Sequence, residues 1–264
     1  MTMVNISVVC PTYNSALFIE RTLECVVSQH AKPTELIISD DGSSDDTLAV
    51  VERFLVERGA DIRWAIVCNS HRGPGATRNA GIDKASCVWI AFLDSDDLWM
   101  PDKLGKVQDA ILENPDANFF CHNEQRIEKN GQISALEYGQ RYKPNYPLPP
   151  QLYFANMFST SAITCKRNLL LECGGFNESL MSAQDYELWL RLSPRLKPVF
   201  MFEVLGQYVE REGNITSGKL LKRMQNEFRI ALMHRHLTTP PWVLMRFFRI
   251  LLAYGSQYAL ARIT

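Results

Sequence analysis

The chain has 264 residues, 46% hydrophobic and 22% charged, which is enough for one large α/β domain or a domain with a small appendage and has the composition of a globular protein. A net charge of -1 gives no overall attraction to polyanions, so no nucleic-acid partner is expected. The charge is polarised all the same, because eight Lys or Arg from Lys219 to Thr264 face the single Glu227.

In chain order, residues 6–10 (ISVVC) are a short β-rich run closed by Pro11, the expected first strand. The following NSALFIERTLECVVSQ sets Leu17, Thr22 or Leu23, Val26 and Val27 at helical spacing behind Asn14 or Ser15 as cap. Residues 35–43 (ELIISDDGS) repeat the theme of a strand entering an acidic turn. Asp45, Asp46 and Thr47 then start a second helix with Leu48, Val51 and Leu55 on one face. IRWAIVC reads as a third strand, GPGATRNAGIDKA as a third helix and CVWIAFLD as a fourth strand. This alternation predicts a doubly wound, mainly parallel sheet.

Ligands of such sheets lie beyond the carboxyl ends of the strands. Residues 11–14, 40–43, 69–75 and 94–97 all follow strands and are expected along one edge. The last segment puts Asp94, Asp96 and Asp97 within four positions. Like charges repel, so either water screens them or a positive group belongs among them.

After Asn123 the periodicity fades. Residues 124–158, rich in Tyr, Pro and Gln, read as an irregular connection over the site. SAITCKR is a strand candidate, RNLLLECGGF a helix closed by Gly174 and Gly175, and AQDYELWLRL a further helix. The tail from residue 219 is expected to be helical, divided at Pro240 and Pro241. Seven cysteines show no metal-like spacing and read as reduced thiols. MTMVNISVVC lacks the pattern of a signal peptide, and ILLAYGSQYALA is too short to span a bilayer. A cytoplasmic location is the expectation.

PTYN, SDDGSSDDT, GATRNAG, FLDSDD, GGF and QDYELWLR, in that order, closely resemble the inverting nucleotide-sugar transferases of glycosyltransferase family 2, over roughly residues 5–217. The resemblance implies the α/β GT-A fold, with a transferase domain at 1–218 and a basic helical tail at 219–264. It further implies metal-dependent, inverting transfer from a UDP- or dTDP-sugar to an acceptor hydroxyl, the acceptor being a saccharide or lipid-linked, in cell-surface polysaccharide or glycolipid synthesis.

Carried over residue by residue, the resemblance puts Asp94, Ser95 and Asp96 at the family's DxD position. Asp96 would touch a Mg²⁺ or Mn²⁺ ion, with Asp94 beside the ribose and the metal's water. An acidic pair joins a diphosphate only through a hard cation. Asp97 is either a surplus charge or a helix N-terminal acid. Asp41 matches the carboxylate that accepts the N3 hydrogen of uracil or thymine, and Asp40 fixes the turn. Pro11, Thr12 and Tyr13 match the base-contacting loop, where Tyr13 stacks on the ring or packs in the protein. Arg78 matches a position near the nucleotide, and Arg72 is an extension of it.

Asp185 is the candidate general base. Gln184 replaces the acid that usually precedes it. Trp189 reads as core. YVEREGNIT, residues 208–216, departs from the family's closing pattern by placing Val209 and Arg211 where Arg and His are usual. His71 and His122 read as structural.

A sugar-nucleotide pyrophosphorylase would need a basic Gly-rich loop at the first strand, a haloacid-dehalogenase phosphatase would carry its DxD at that strand, and the ATPase motif GxxxxGK[ST] is absent. A nucleotide-sugar-binding protein that has lost catalysis is the alternative suggested by Gln184 and Val209. The tail pairs Trp242, Phe247, Phe248, Leu251 and Leu252 with Arg246, Arg249 and Arg262, which suits either peripheral contact with the inner face of the membrane or packing on the body.

Overall fold

The computed structural model describes residues 4–211 and 220–260. Four parallel strands build its first half: β1 (Ile6–Thr12), β2 (Glu35–Asp40), β3 (Arg63–Cys68) and β4 (Trp89–Phe92), in the order β3-β2-β1-β4. Their side chains alternate between two cores. Val8, Cys10, Leu36 and Ile38 meet α1 (Ile19–Val27) and α2 (Thr47–Arg58), while Val9, Ile37, Ile90 and Phe92 meet α3 (Pro74–Lys84). α3 lies close on the sheet because Gly81 has no side chain; a Cβ there would come within 2.5 Å of Val9 Cγ1.

The second half mixes directions. Beyond β5 (Leu98–Trp99) and α4 (Lys103–Glu113) come β6 (Phe119–Ile127), β7 (Ile133–Leu136), α5 (Leu148–Phe154), β8 (Ile163–Lys166), α6 (Arg167–Glu172), α7 (Gln184–Leu192) and β9 (Pro198–Val209). β8 runs antiparallel between β4 and β6, β9 runs parallel to β6, and β5 is antiparallel to β9. The full order is β3-β2-β1-β4-β8-β6-β9-β5, with β7 paired to β6. The parallel half is as expected from the sequence, and the antiparallel strands complete a mixed sheet.

Several boundaries depart from the sequence reading. Residues 124–158 are largely regular, holding the end of β6, β7, a 3₁₀ turn at Tyr138–Arg141 and α5. Their prolines fall at turns and at the first turn of α5, where a missing N–H costs nothing. α1 begins at Ile19 rather than at Asn14 or Ser15. Asn14 is left-handed at φ 47°, and its amide oxygen accepts the Ser44 N–H at 2.9 Å, so it braces the second acidic turn. Tyr208 and Val209 end β9, and residues 212–216 of the same motif lie outside the described residues. Gly174 and Gly175 close α6 at φ 81° and 70°, as expected.

The tail forms α8 (Leu220–Met233) and α9 (Pro240–Leu260). Ile230, Ala231, Ile250 and Tyr254 are buried in the same core as Val9 and Phe92. The Tyr153 hydroxyl donates to the Ala231 carbonyl at 2.9 Å, and His234 Nε2 lies 3.0 Å from Glu187 of α7. One face of α9 therefore packs on the body. The other exposes Trp242, Leu244, Phe248, Leu251 and Leu252. No helix among the described residues is long and apolar enough to cross a membrane.

Candidate active site

The loops after β1, β2, β3 and β4 meet at one edge, as the parallel order requires. They form one end of a cavity of about 920 Å³, closed on the far side by α7 and the end of β9. Nine candidate site residues named from the sequence line it, Arg72 not among them: Pro11, Thr12, Tyr13, Asp41, Arg78, Asp94, Ser95, Asp96 and Asp185.

The 94–97 turn is tied down from below. The Thr22 hydroxyl of α1 lies 2.8 Å from the Ser95 carbonyl and 3.0 Å from that of Asp97. Ser95 and Ser15 share a hydrogen bond of 2.9 Å. Asp97 turns away from the cavity's acidic pair: it is 2% exposed, accepts the Ser161 hydroxyl at 2.6 Å and the Val209 N–H at 3.2 Å. Burial, with Asp96, Glu124 and Asp94 behind it, pushes the Asp97 carboxyl well above the usual range. It is therefore a buried tie between β9 and this turn, not a helix N-terminal acid.

Asp94 and Asp96 face the cavity, and each holds a guanidinium. Arg78 pairs with Asp94, and Arg211 Nε lies 2.7 Å from Asp96. Burial and the charge of Asp94 still raise the Asp96 carboxyl, more than Arg211 lowers it. Two cavity-facing carboxylates whose charges oppose one another have the oxygen chemistry to hold a Mg²⁺ or Mn²⁺ ion, which would take its further ligands from phosphate and water. Among the described residues no group of three or more His, Cys, Asp or Glu is placed to hold a metal alone. Phosphate oxygens would thus complete the ligand set.

On the second loop, the Thr12 hydroxyl donates to Asp40 at 2.9 Å and the Ser43 N–H does so at 2.8 Å, so Asp40 fixes the turn. Gly42 completes it at φ 75°, where a Cβ would also press on the Asn69 carbonyl at 3.2 Å. Asp45 accepts the Thr47 N–H at 3.0 Å and the Ala16 N–H at 3.1 Å, the role expected of an acid at a helix start. Asp41 accepts the Arg72 N–H at 2.9 Å and the Gly73 N–H at 3.0 Å, which brings the 69–75 loop against it. A carboxylate has lone pairs left for one further donor. Arg72 turns to Glu178, away from the cavity-lining residues.

The sequence reading missed His71. Its ring stacks on Tyr13 at 4.4 Å and 21°, and Nδ1 lies 3.1 Å from Asp41, so both line the same end of the cavity. A lone histidine carries no spacing signal that would have found it. Tyr138, Arg126 and Arg223 line the cavity as well, again without a sequence pattern. His122 is buried and structural, as expected, and Trp189 is fully buried among Phe92, Phe119, Phe158 and Phe176.

Opposite the acidic pair, α7 presents Gln184 and Asp185 from its first turn. Ala183 precedes them in the left-handed region at φ 55°, a strained conformation for a residue with a Cβ. Burial raises the Asp185 carboxyl, opposed by the Tyr186 N–H and Arg78 and assisted by Asp94. Gln184 Oε1 is buried with no partner among the described residues, a polar atom that a ligand hydroxyl would satisfy. A carboxyl of raised proton affinity facing a cation-seeking pair is suited to taking a proton from a nucleophile.

A mixed sheet of this order, with an acidic turn after β4 and a carboxylate across the crevice, is the architecture of the GT-A glycosyltransferases. The S. aureus protein TarS (residues 1–349, in complex with UDP-GlcNAc) superposes with a TM-score of 0.73 at 20% identity, covering 95% of this chain and 73% of that one. Residues 7–170 match the family "Glycosyl transferase family 2", and the chain belongs to that family; it is a glycosyltransferase. It is 28% identical to the Campylobacter jejuni GalNAc(5)-diNAcBac-PP-undecaprenol beta-1,3-glucosyltransferase, covering 87% of this chain and 77% of the relative. It is 30% identical to the Escherichia coli UDP-Glc:alpha-D-GlcNAc-diphosphoundecaprenol beta-1,3-glucosyltransferase WfaP, covering 71% and 69%.

Proposed function

We propose that the chain moves a sugar, with inversion, from a UDP- or dTDP-sugar to a hydroxyl of a saccharide carried on a lipid diphosphate, in polysaccharide or glycolipid synthesis. The observation that carries this reading is the pairing, across one cavity, of the Asp94 and Asp96 carboxylates with the lone carboxylate of Asp185. About 920 Å³ accommodates a nucleotide sugar. The names of the two relatives, both acting on undecaprenol diphosphate-linked sugars, support the acceptor class.

The base binds beside Tyr13 and His71, with its N3 hydrogen toward Asp41, which a cytosine lone pair would not satisfy. Asp94 and Asp96 would hold Mg²⁺ or Mn²⁺, which would supply positive charge for the departing diphosphate. Arg78 and Arg211 supply further positive charge at that wall. Asp185 takes the proton of the acceptor hydroxyl as its oxygen attacks the anomeric carbon from the side opposite the diphosphate. One bond to carbon forms as the other breaks, so the configuration inverts.

The same proposal places the chain at a membrane surface. The apolar outer face of α9 would enter the headgroup region of the inner face, with basic residues of the tail near anionic lipid. The division after residue 218 then separates the catalytic carboxylates from the segment that meets the lipid.

The test is turnover on a panel of nucleotide sugars with Mn²⁺ and a short prenyl diphosphate-linked saccharide, with the product anomer assigned by NMR. Consumption of a UDP- or dTDP-sugar with inversion is expected. Retention, or turnover confined to GDP- or CMP-sugars, would overturn it. Sedimentation with anionic liposomes checks the tail: salt-sensitive binding that weakens in Phe248→Ser and Leu252→Ser is expected, and none at low salt removes the membrane role.

A further inference from the structure

A second cavity, of about 370 Å³, lies behind Asp185. Its walls are Asp185 and Tyr186 of α7, Arg223 and Glu227 of α8, and Arg246 and Arg249 of α9. It adjoins the large cavity, because Ala183, Asp185 and Arg223 line both.

Two guanidiniums of α9, Arg246 and Arg249, face this cavity beside Asp185 and Glu227. Glu227 is occupied by Arg246 and by the Tyr254 hydroxyl, each at 2.8 Å. Arg246 and Arg249 both donate to a single acceptor, the Phe154 carbonyl, each at 2.9 Å. Arg246 is 6% exposed, yet its Nε has no acceptor among the described residues. A buried guanidinium N–H without a partner is costly, and a ligand oxygen removes that cost. Burial and the neighbouring charges of Arg246 and Arg141 hold Arg249 below the ordinary arginine value, against the opposing pull of Glu227. Guanidinium forks match phosphate oxygens in two-point contact.

Position separates this anion from the donor. The donor's diphosphate belongs with Asp94 and Asp96, whereas the second cavity is on the other side of the carboxylate that receives the acceptor's proton. The exposed Phe248, Leu251 and Leu252 lie on the outer face of the same helix, where a lipid chain would leave the protein.

We propose that the second cavity is an anion subsite for the acceptor, in which Arg246 and Arg249 hold the phosphate or diphosphate ester that carries the acceptor sugar. This rests on the transferase reading above, with Asp185 as base, and adds the group by which the acceptor is recognised. The ester oxygens supply the acceptor that Arg246 Nε lacks, and their anchoring sets the reactive hydroxyl at Asp185.

The experiment compares kcat/KM for one saccharide presented on a short prenyl diphosphate and on a neutral alkyl chain. Wild type is expected to prefer the diphosphate by about 10-fold or more, and Arg249→Gln to erase most of that preference. Ala253→Glu, at an exposed position that lines the cavity, adds a repelling charge and is expected to do the same. No preference in wild type, or an equal loss on both acceptors in both variants, overturns the subsite. A titration with inorganic phosphate separates the sources: if free phosphate alters turnover of the neutral acceptor through Arg249, the cavity binds a free anion and the proposal is wrong. Donor hydrolysis without acceptor is measured beside these; its absence together with absent transfer sinks the transferase reading itself.

Discussion

On one wall of the large cavity, three carboxylates occupy four consecutive positions; on the other, Asp185 stands alone at the start of α7. The first wall is managed by charge. Arg78 and Arg211 take Asp94 and Asp96, and Asp97 is withdrawn onto Ser161 and Val209. The second is managed by burial, which raises proton affinity more than Arg78 lowers it. The difference teaches that carboxylates in one crevice acquire different chemistry from what surrounds them: two acids held by guanidiniums offer neighbouring oxygens to a cation, while an acid raised by burial with no ion pair among the described residues is set to exchange a proton.

The largest expected effect breaks the first wall. Asp96→Ala should lower turnover by roughly 10³-fold, the worth of several kcal/mol of charge stabilisation, and weaken UDP binding in parallel. Calorimetry with and without Mn²⁺ checks it; activity retained in chelator-treated buffer would dismiss the metal assignment. The second wall should fail differently. Asp185→Asn is expected to cut kcat by about 10²-fold or more while UDP affinity stays near wild type. Because the base must be ionised and its proton affinity is raised, the acid limb of wild-type kcat should fall above about pH 3.9, where an ordinary aspartate titrates. A limb at or below that pH would deny Asp185 the role.

A smaller effect concerns what the acidic wall costs the fold. Behind it, Glu124 is fully buried, accepts the Tyr138 hydroxyl at 2.6 Å and leaves Oε1 unpartnered among the described residues. Burial pushes its carboxyl from 4.5 up to about 7. Below 4.5 the folded and unfolded chains both carry the proton. Between 4.5 and about 7 the unfolded chain releases it first, so stability is lost as pH rises through that window. Glu124→Gln should remove that loss, about 3 kcal/mol at most, seen as a flatter dependence of denaturation midpoint on pH. The smallest effect sharpens the pairing. Arg211→Met should change stability by less than about 1 kcal/mol, since both partners touch solvent, and should tighten Mn²⁺ binding to nucleotide-free protein by a few-fold at most. Weaker Mn²⁺ binding would mean that Arg211 shapes the site rather than competing for it.

What the sequence disclosed follows from distance along the chain. β1, β2 and β4 are buried on both faces, and β2 and β4 run into carboxylates, so composition alone marks both the strands and the edge where Asp41, Asp94 and Asp96 gather. Asp185 was legible only through the order of motifs. By contrast, Arg211 meets Asp96 from 115 positions away, and no local pattern announces such a pair. Residues 124–158 hid β7 and α5 because prolines that begin turns and helices read the same as prolines in loops. The tail's contact with α7 was open between two readings until Glu187 and His234, 47 positions apart, were seen together.

The stack of Tyr13 on His71 has a spectroscopic consequence. An imidazole 4.4 Å from a parallel phenol ring sits in that ring's magnetic shielding zone, so the His71 carbon-bound protons should resonate upfield of those of the other four histidines. A nucleobase arriving at Tyr13 either slides onto the open face and adds its own shielding or parts the two rings and abolishes it. The sign of the shift of one imidazole signal would therefore report how the base is seated, without a label or a crystal.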